Sequence, residues 1–172
     1  MKYWFFGLLL CGVFSGLTGC SNSAGGPSTA GEALLLETEP ADALDVVELK
    51  TNLIAGLAAG EVSIVGRVGS GQEETWDPDQ ASFMIRDVNL TVESHDHGAG
   101  GHDNCKFCQE ANARALESMA LVQVVDESGS VIQTNAQGLL GLKENHIIVA
   151  TGEGEIQDGT LVFNAKKVYI RR

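Results

Sequence analysis

The chain has 172 residues and a formal charge of −12, from 23 acidic against 11 basic side chains. That excess of negative charge disfavours polyanionic partners such as nucleic acid. Of the four cysteines, two fall within or directly after an N-terminal leader, so a multi-bridge disulfide framework is excluded.

Lys2 and the amino terminus precede an apolar run, Tyr3 to Phe14, followed by the small-residue stretch Ser15-Gly16-Leu17-Thr18-Gly19-Cys20. This is the pattern of a secretory signal over residues 1–19; the run is too short and too interrupted by glycine to suit a membrane-spanning helix. Leu17-Thr18-Gly19-Cys20 resembles the lipobox of bacterial lipoproteins. The resemblance implies cleavage before Cys20, acylation of its thiol with palmitate-type chains, and an extracytoplasmic protein anchored in the cell envelope, on the periplasmic face of an outer membrane or at the cell surface. Ordinary secretory cleavage, leaving the Cys20 thiol free, is the alternative.

Residues 20–43 begin SNSAGGPSTAGEA after the cysteine, a composition with too little apolar surface to offset its ordering entropy, and are expected to form a flexible tether. The domain is expected over residues 44–172. Asp42 is placed to cap a helix through Ala43 to Ala59, with Leu44, Val47, Leu49, Leu53, Ile54 and Leu57 as its apolar stripe and Gly60 closing it, although Thr51, Asn52 and Gly56 are equally consistent with a shorter helix.

EVSIVGRVG alternates Val62, Ile64, Gly66 and Val68 on one face and predicts a first strand, with the glycine where a bent strand wants one. Ser70-Gly71-Gln72 and Asp77-Pro78-Asp79 are turn signals, and Ala81, Phe83 and Ile85 then alternate as a second strand. The apolar parity switches to Val88, Leu90 and Val92, which calls for a bulge or bend near Asp87. After a His/Cys-rich segment, QEANARALESMA predicts a helix with Ala111, Ala115, Leu116 and Met119 at helical spacing. ALVQVV predicts a third strand, DESGS a turn, GLLGLKEN a short helical connection, HIIVATGEGEI a fourth strand, and Asp158-Gly159 a hairpin turn into the fifth, LVFNAKKVYI.

Over Glu61 to Arg172, the segments VSIVGRV, ASFMIRD, ALVQVVDESG and HIIVATGEGEIQDGTLVFNAKKVYI resemble small exported bacterial OB domains, whose functions are largely unassigned. The resemblance implies a mainly all-β fold, a five-stranded Greek-key barrel, with an insertion of residues 93–119 between strands two and three. Such additions carry function more often than the barrel does.

That insertion contains His95, His97, His102, Cys105 and Cys108, the pattern His-x-His-x4-His-x2-Cys-x2-Cys. In an extended segment His95 and His97 project from the same side; Gly98, Gly100 and Gly101 permit the chain to fold His102 and the cysteines back toward them. Cys-x2-Cys lets two sulfurs from one turn reach one ion at about 2.3 Å, and a helix start near Cys108 favours thiolate. Five donors are offered where tetrahedral zinc takes four; copper(I) is the next metal, since thiolate and imidazole suit it. Asp96 and Asp103 are read as solvated neighbours. A Cys105–Cys108 disulfide in an oxidising compartment and a thiol–disulfide exchange site are the rival readings.

The remaining signals read as structural. His146 sits at the entrance to the fourth strand. Trp76, Phe83 and Phe163 offer a stacking platform but are read chiefly as core or rim packing. The basic tail Lys166, Lys167, Arg171 and Arg172 is read as keeping a strand edge soluble, and the acidic pairs Glu73/Glu74 and Asp77/Asp79 as solvated loop charge. No nucleophile elbow, phosphate loop or dinucleotide fingerprint occurs. The expected function is non-enzymatic metal binding by a membrane-tethered domain; the alternatives are an OB-type module for a protein or oligosaccharide partner, and a thiol redox protein.

Overall fold

The computed structural model describes residues 26–70, 74–90 and 113–171. They form a mostly β fold with few helices, built on five strands: β1 (Val62–Val68), β2 (Ser82–Arg86), β3 (Met119–Val124), β4 (Ile147–Gln157) and β5 (Thr160–Arg171). Among the described residues, helices α1 (Thr29–Glu32), α2 (Val46–Ile54) and α3 (Ala136–Leu140) accompany them, and residues 113–117 are helical as well. The strands pair in the order β1-β2-β3-β5-β4, and β4 returns to β1, so the sheet closes on itself. All pairings are antiparallel except β3 with β5, which run parallel with Val122 opposite Phe163.

Inward positions fill the ring. Ile64, Val68, Phe83, Ile85, Val122, Val124, Ile148, Ala150, Leu161 and Phe163 are essentially inaccessible to solvent, and Val46 and Leu49 of α2 and Leu139 and Leu140 of α3 join the same cluster. Gly66 is needed where expected: a Cβ there would lie 2.5 Å from Ile85 Cδ1.

The bend that closes the ring lies in the β4–β5 hairpin. Its tight turn puts Asp158 at φ 49° and Gly159 at φ 82°, the left-handed pair of a primed turn. Further along, Thr151 pairs with Lys167 but Gly152 pairs with Ala165, so Lys166 is an extra residue, a β-bulge. Buried parity in β5 switches there, from Leu161, Phe163 and Ala165 to Val168. Of the bulge or bend expected near Asp87, the structure has the bend: β2 ends at Arg86, and Asp87 opens a turn that receives the Leu90 N–H on its carbonyl.

The N-terminal segment departs from the tether expectation. Ser28 caps α1 through its hydroxyl and donates its N–H to Leu139 O at 2.9 Å. Leu35 bridges Val168 in parallel, with Leu36 N–H donating to Val168 O and Val168 N–H to Leu34 O. Leu44 bridges Ile64, donating to Ser63 O and accepting from Val65 N–H. These contacts occupy the stretches of β5 beyond its pairing with β3 and of β1 beyond its two-residue pairing with β2. The folded body therefore begins well before residue 44, because Leu34, Leu35 and Leu44 have backbone edges and apolar surface to cover.

The first long helix is shorter than the stripe suggested. Leu44 is committed to β1, so Asp45, not Asp42, caps α2, accepting from Glu48 N–H at 2.8 Å. Gly56 at φ 68° ends it: Gly56 N–H donates to Leu53 O and Leu57 N–H to Asn52 O, a Schellman closure well before Gly60. Its buried face is Val46, Leu49 and Leu53; Val47, Ile54 and Leu57 are exposed. Of the helix predicted over QEANARALESMA, residues 113–117 are helical, but Leu116 is exposed and Met119 belongs to β3. In GLLGLKEN only the beginning is helical, as Gly141 adopts the left-handed cap and Asn145 a second left-handed turn.

Two outcomes check this architecture. A Cβ at Gly152 would fall 2.0 Å from the Asn164 carbonyl oxygen, backbone that cannot yield locally. Gly152→Ala is expected to cost at least about 2 kcal/mol, read as a fall in the urea midpoint at constant m. The Arg171 guanidinium, hydrogen-bonded to Glu39 at 3.0 and 3.1 Å through Nε, holds that carboxyl below its ordinary 4.5. A depressed folded-state pKa gives stability that is present above the unfolded value and lost as pH falls through the folded one. The neutral-pH stability difference between the chain and Glu39→Gln should thus shrink on acidification below pH 4.5, read by thermal melts.

Candidate functional site

The five sequence-derived metal donors, His95, His97, His102, Cys105 and Cys108, lie outside the described residues, as does Cys20. Among the described residues no three His, Cys, Asp or Glu side chains are arranged to hold a metal ion. What the fold does establish is the pair of positions from which the donor-bearing segment departs and to which it returns.

β2 and β3 are antiparallel neighbours, with Arg86 opposite Met119. One residue beyond, Asp87 N–H donates to Ser118 O at 2.8 Å, so both ends of the intervening segment leave the sheet side by side. Asp87 is 5% exposed, and its carboxylate is fully engaged: Oδ1 accepts from Asn89 N–H at 2.8 Å and Oδ2 from Val47 N–H at 3.3 Å. The Val47 N–H is one of the unpaired donors of the α2 first turn, where a carboxylate also meets the positive end of the helix dipole. Asn89 Nδ2 donates in turn to Asp45 Oδ2, the other oxygen of the α2 cap. On the returning side, Ser118 Oγ donates to Ala115 O at 2.8 Å and closes the helical residues 113–117. One residue thus ties three parts together: the Asp87 backbone N–H holds the returning chain, and its carboxylate holds the departing chain and α2.

No family model, curated protein or solved structure matches the chain. The site is therefore read from its own residues.

The other sequence-derived residues fall into structural places. Phe83 and Phe163 are core, and Trp76 is half-buried with its ring 5.9 Å from that of Phe83. His146 precedes β4, its Nδ1 accepting from Lys143 N–H and its carbonyl from Val68 N–H. Lys166 bridges Glu61 and Glu153, Lys167 donates to Ala33 O and Arg171 clasps Glu39, so these cations fasten parts of the fold together; β5 has neighbours on both sides and is no sheet edge. Arg172 lies outside the described residues. Asp77 serves as a turn cap, accepting from Asp79 and Gln80 N–H groups, while Glu74 is exposed and Glu73 lies outside the described residues.

The Asp87 junction stands where the sequence predicts a bulge or bend. An aspartate at a strand end, two residues before an asparagine, was the available signal. Asp87→Ala leaves the Val47 and Asn89 N–H groups without their acceptor and is expected to cost about 1–3 kcal/mol. Hydrogen exchange should show faster exchange at those two amides than at the Leu121 or Val149 amides.

Proposed function

We propose that this chain is a membrane-anchored extracytoplasmic lipoprotein whose OB-type barrel holds out a transition-metal-binding loop, with zinc as the preferred ion and copper next. The ring order, with its single parallel joint between β3 and β5 and a short helix leading into β4, supports the OB-type reading. Anchoring rests on the lipobox-like Leu17-Thr18-Gly19-Cys20.

The observation that carries the metal reading is the junction at Asp87 and Ser118. A loop rich in glycine loses much entropy on ordering; fixing both its ends at one place reduces what the metal must offset. Imidazoles from His95, His97 and His102 and thiolates from Cys105 and Cys108 are the donors borderline ions take. With at least four thiolate and imidazole donors available, the reading is a closed site of the structural, storage or delivery kind, with the chain acting as a binder.

The chain from Ser21 to Arg172, purified under reducing conditions, is expected to carry about one zinc per molecule by elemental analysis. Cys105→Ser combined with Cys108→Ser should remove it, and Asp87→Ala should weaken retention against a chelator. A reduced, folded chain that takes up neither zinc nor copper would refute the proposal.

A further inference from the structure

Among the described residues, the large apolar side chains left in solvent are Val47, Ile54, Leu57 and Leu116, and all four belong to the end of the barrel that α2 covers. Val47 and Ile54 are two helical turns apart and share one face of α2, a stripe beside the buried face of Val46, Leu49 and Leu53. Leu57 follows the helix. In a Schellman closure the residue after the left-handed glycine usually packs back on the last turn, but here that turn offers Thr51 and Asn52, and Leu57 keeps 77% of its surface. Leu116 reaches the same end through the junction: it lies just before Ser118, whose carbonyl accepts from Asp87 N–H, and the Asp87 carboxylate accepts from Val47 N–H.

Position and charge narrow what can cover this face. The chain enters at the opposite end, where Ser28 is bonded to Leu139 of α3, the helix that leads into β4. α2 packs over Gly154, where a Cβ would lie 3.1 Å from Leu53 Cδ1, roughly 20 Å along β4 from its start at Ile147. A face so placed is turned away from a membrane holding Cys20, the anchorage proposed above, so a lipid surface is a poor occupant. Around the stripe, Glu48 and Glu117 are exposed and make no ion pair among the described residues, and the Asp45 carboxylate meets only amides. Lys50 opposes them, but Lys166 is already held by Glu61 and Glu153. Two copies meeting stripe to stripe would bring these carboxylates together, which disfavours self-association through this face.

What fits is a helix with apolar residues at the same two-turn spacing and cations along its margins. We infer that the α2 end of the barrel docks a basic amphipathic helix of another protein, its apolar stripe lying on Val47, Ile54 and Leu57 and its lysines or arginines facing Glu48 and Glu117. The proposed metal loop leaves from the same end of the barrel, but the docking surface does not depend on bound metal.

A designed peptide tests this. The probe is an amidated Leu/Lys helix about 18 residues long with its leucines on one face; the controls are the same residues reordered so that no face is apolar, and a Leu/Glu counterpart of the probe. Backbone amide shifts are followed in the isotope-labelled chain from Ser21 to Arg172, which contains every described element. The probe is expected to shift the amides of residues 47–57 and 113–117 saturably, and the controls to leave them in place. Ile54→Ser and Leu57→Ser, at exposed positions where replacement scarcely affects folding, should each weaken the probe about tenfold. Cys105→Ser with Cys108→Ser should leave its binding unchanged, which separates this inference from the metal reading. Binding of either control, shifts that map elsewhere, unaltered affinity in both α2 variants, or loss of binding in the cysteine variant would overturn it. So would self-association of the chain, or its attachment to phosphatidylcholine–phosphatidylglycerol vesicles, if Ile54→Ser abolished it.

Discussion

A sheet of only five strands closes into a ring when its longest hairpin can be turned through a corner, and here that corner is the contact of Gly152 with the Asn164 carbonyl. The extra residue, Lys166, coils β5 so that its first half meets β3 and its second half stays with β4. Without that coiling the parallel β3–β5 joint would not form, the interior would lose one wall, and Phe163 would have no closed space to fill. The bulged residue itself points to solvent, where its ammonium pairs with Glu61 and Glu153; those exposed pairs add little energy but accompany a backbone feature that the whole ring needs.

Closure also leaves two incomplete seams, and this explains the role of the segment ahead of α2. β1 and β2 share only two paired residues, and β3 stops short of the second half of β5. Leu34 to Leu36 and Leu44 complete these edges with backbone hydrogen bonds, and the Glu39–Arg171 clasp lies between them in sequence. The same logic makes α2 start late, because Leu44 serves the sheet before the helix begins.

The strands were legible because period-two alternation reports a buried face directly: Ile64, Val68, Phe83, Ile85, Leu161 and Phe163 are where that pattern puts them. Less legible was everything decided by partners distant in sequence. A Ser-, Gly- and Ala-rich stretch reads as solvated chain until the seams it meets are known, and a run of leucines reads as a helical stripe until one of them is claimed by a strand. The parity switch at Lys166 and Lys167 was present in the sequence but was masked by the charge of both residues. Of the candidate chemistry, the donor set is a sequence property; Asp87 as a junction depends on which strands lie side by side.

The seam-closing segment has a mechanical consequence if the chain is held at Cys20. Only a short leader of polar residues would separate that attachment from Ser28, roughly 25 Å at full stretch. A pull away from the membrane would then be delivered first to the Ser28–Leu139 bond and next to the Leu34–Val168–Leu36 bonds, peeling them singly, before any load reached the barrel staves. The strap would behave as a fuse, yielding early and exposing a bare stretch of β5 while the ring stayed shut.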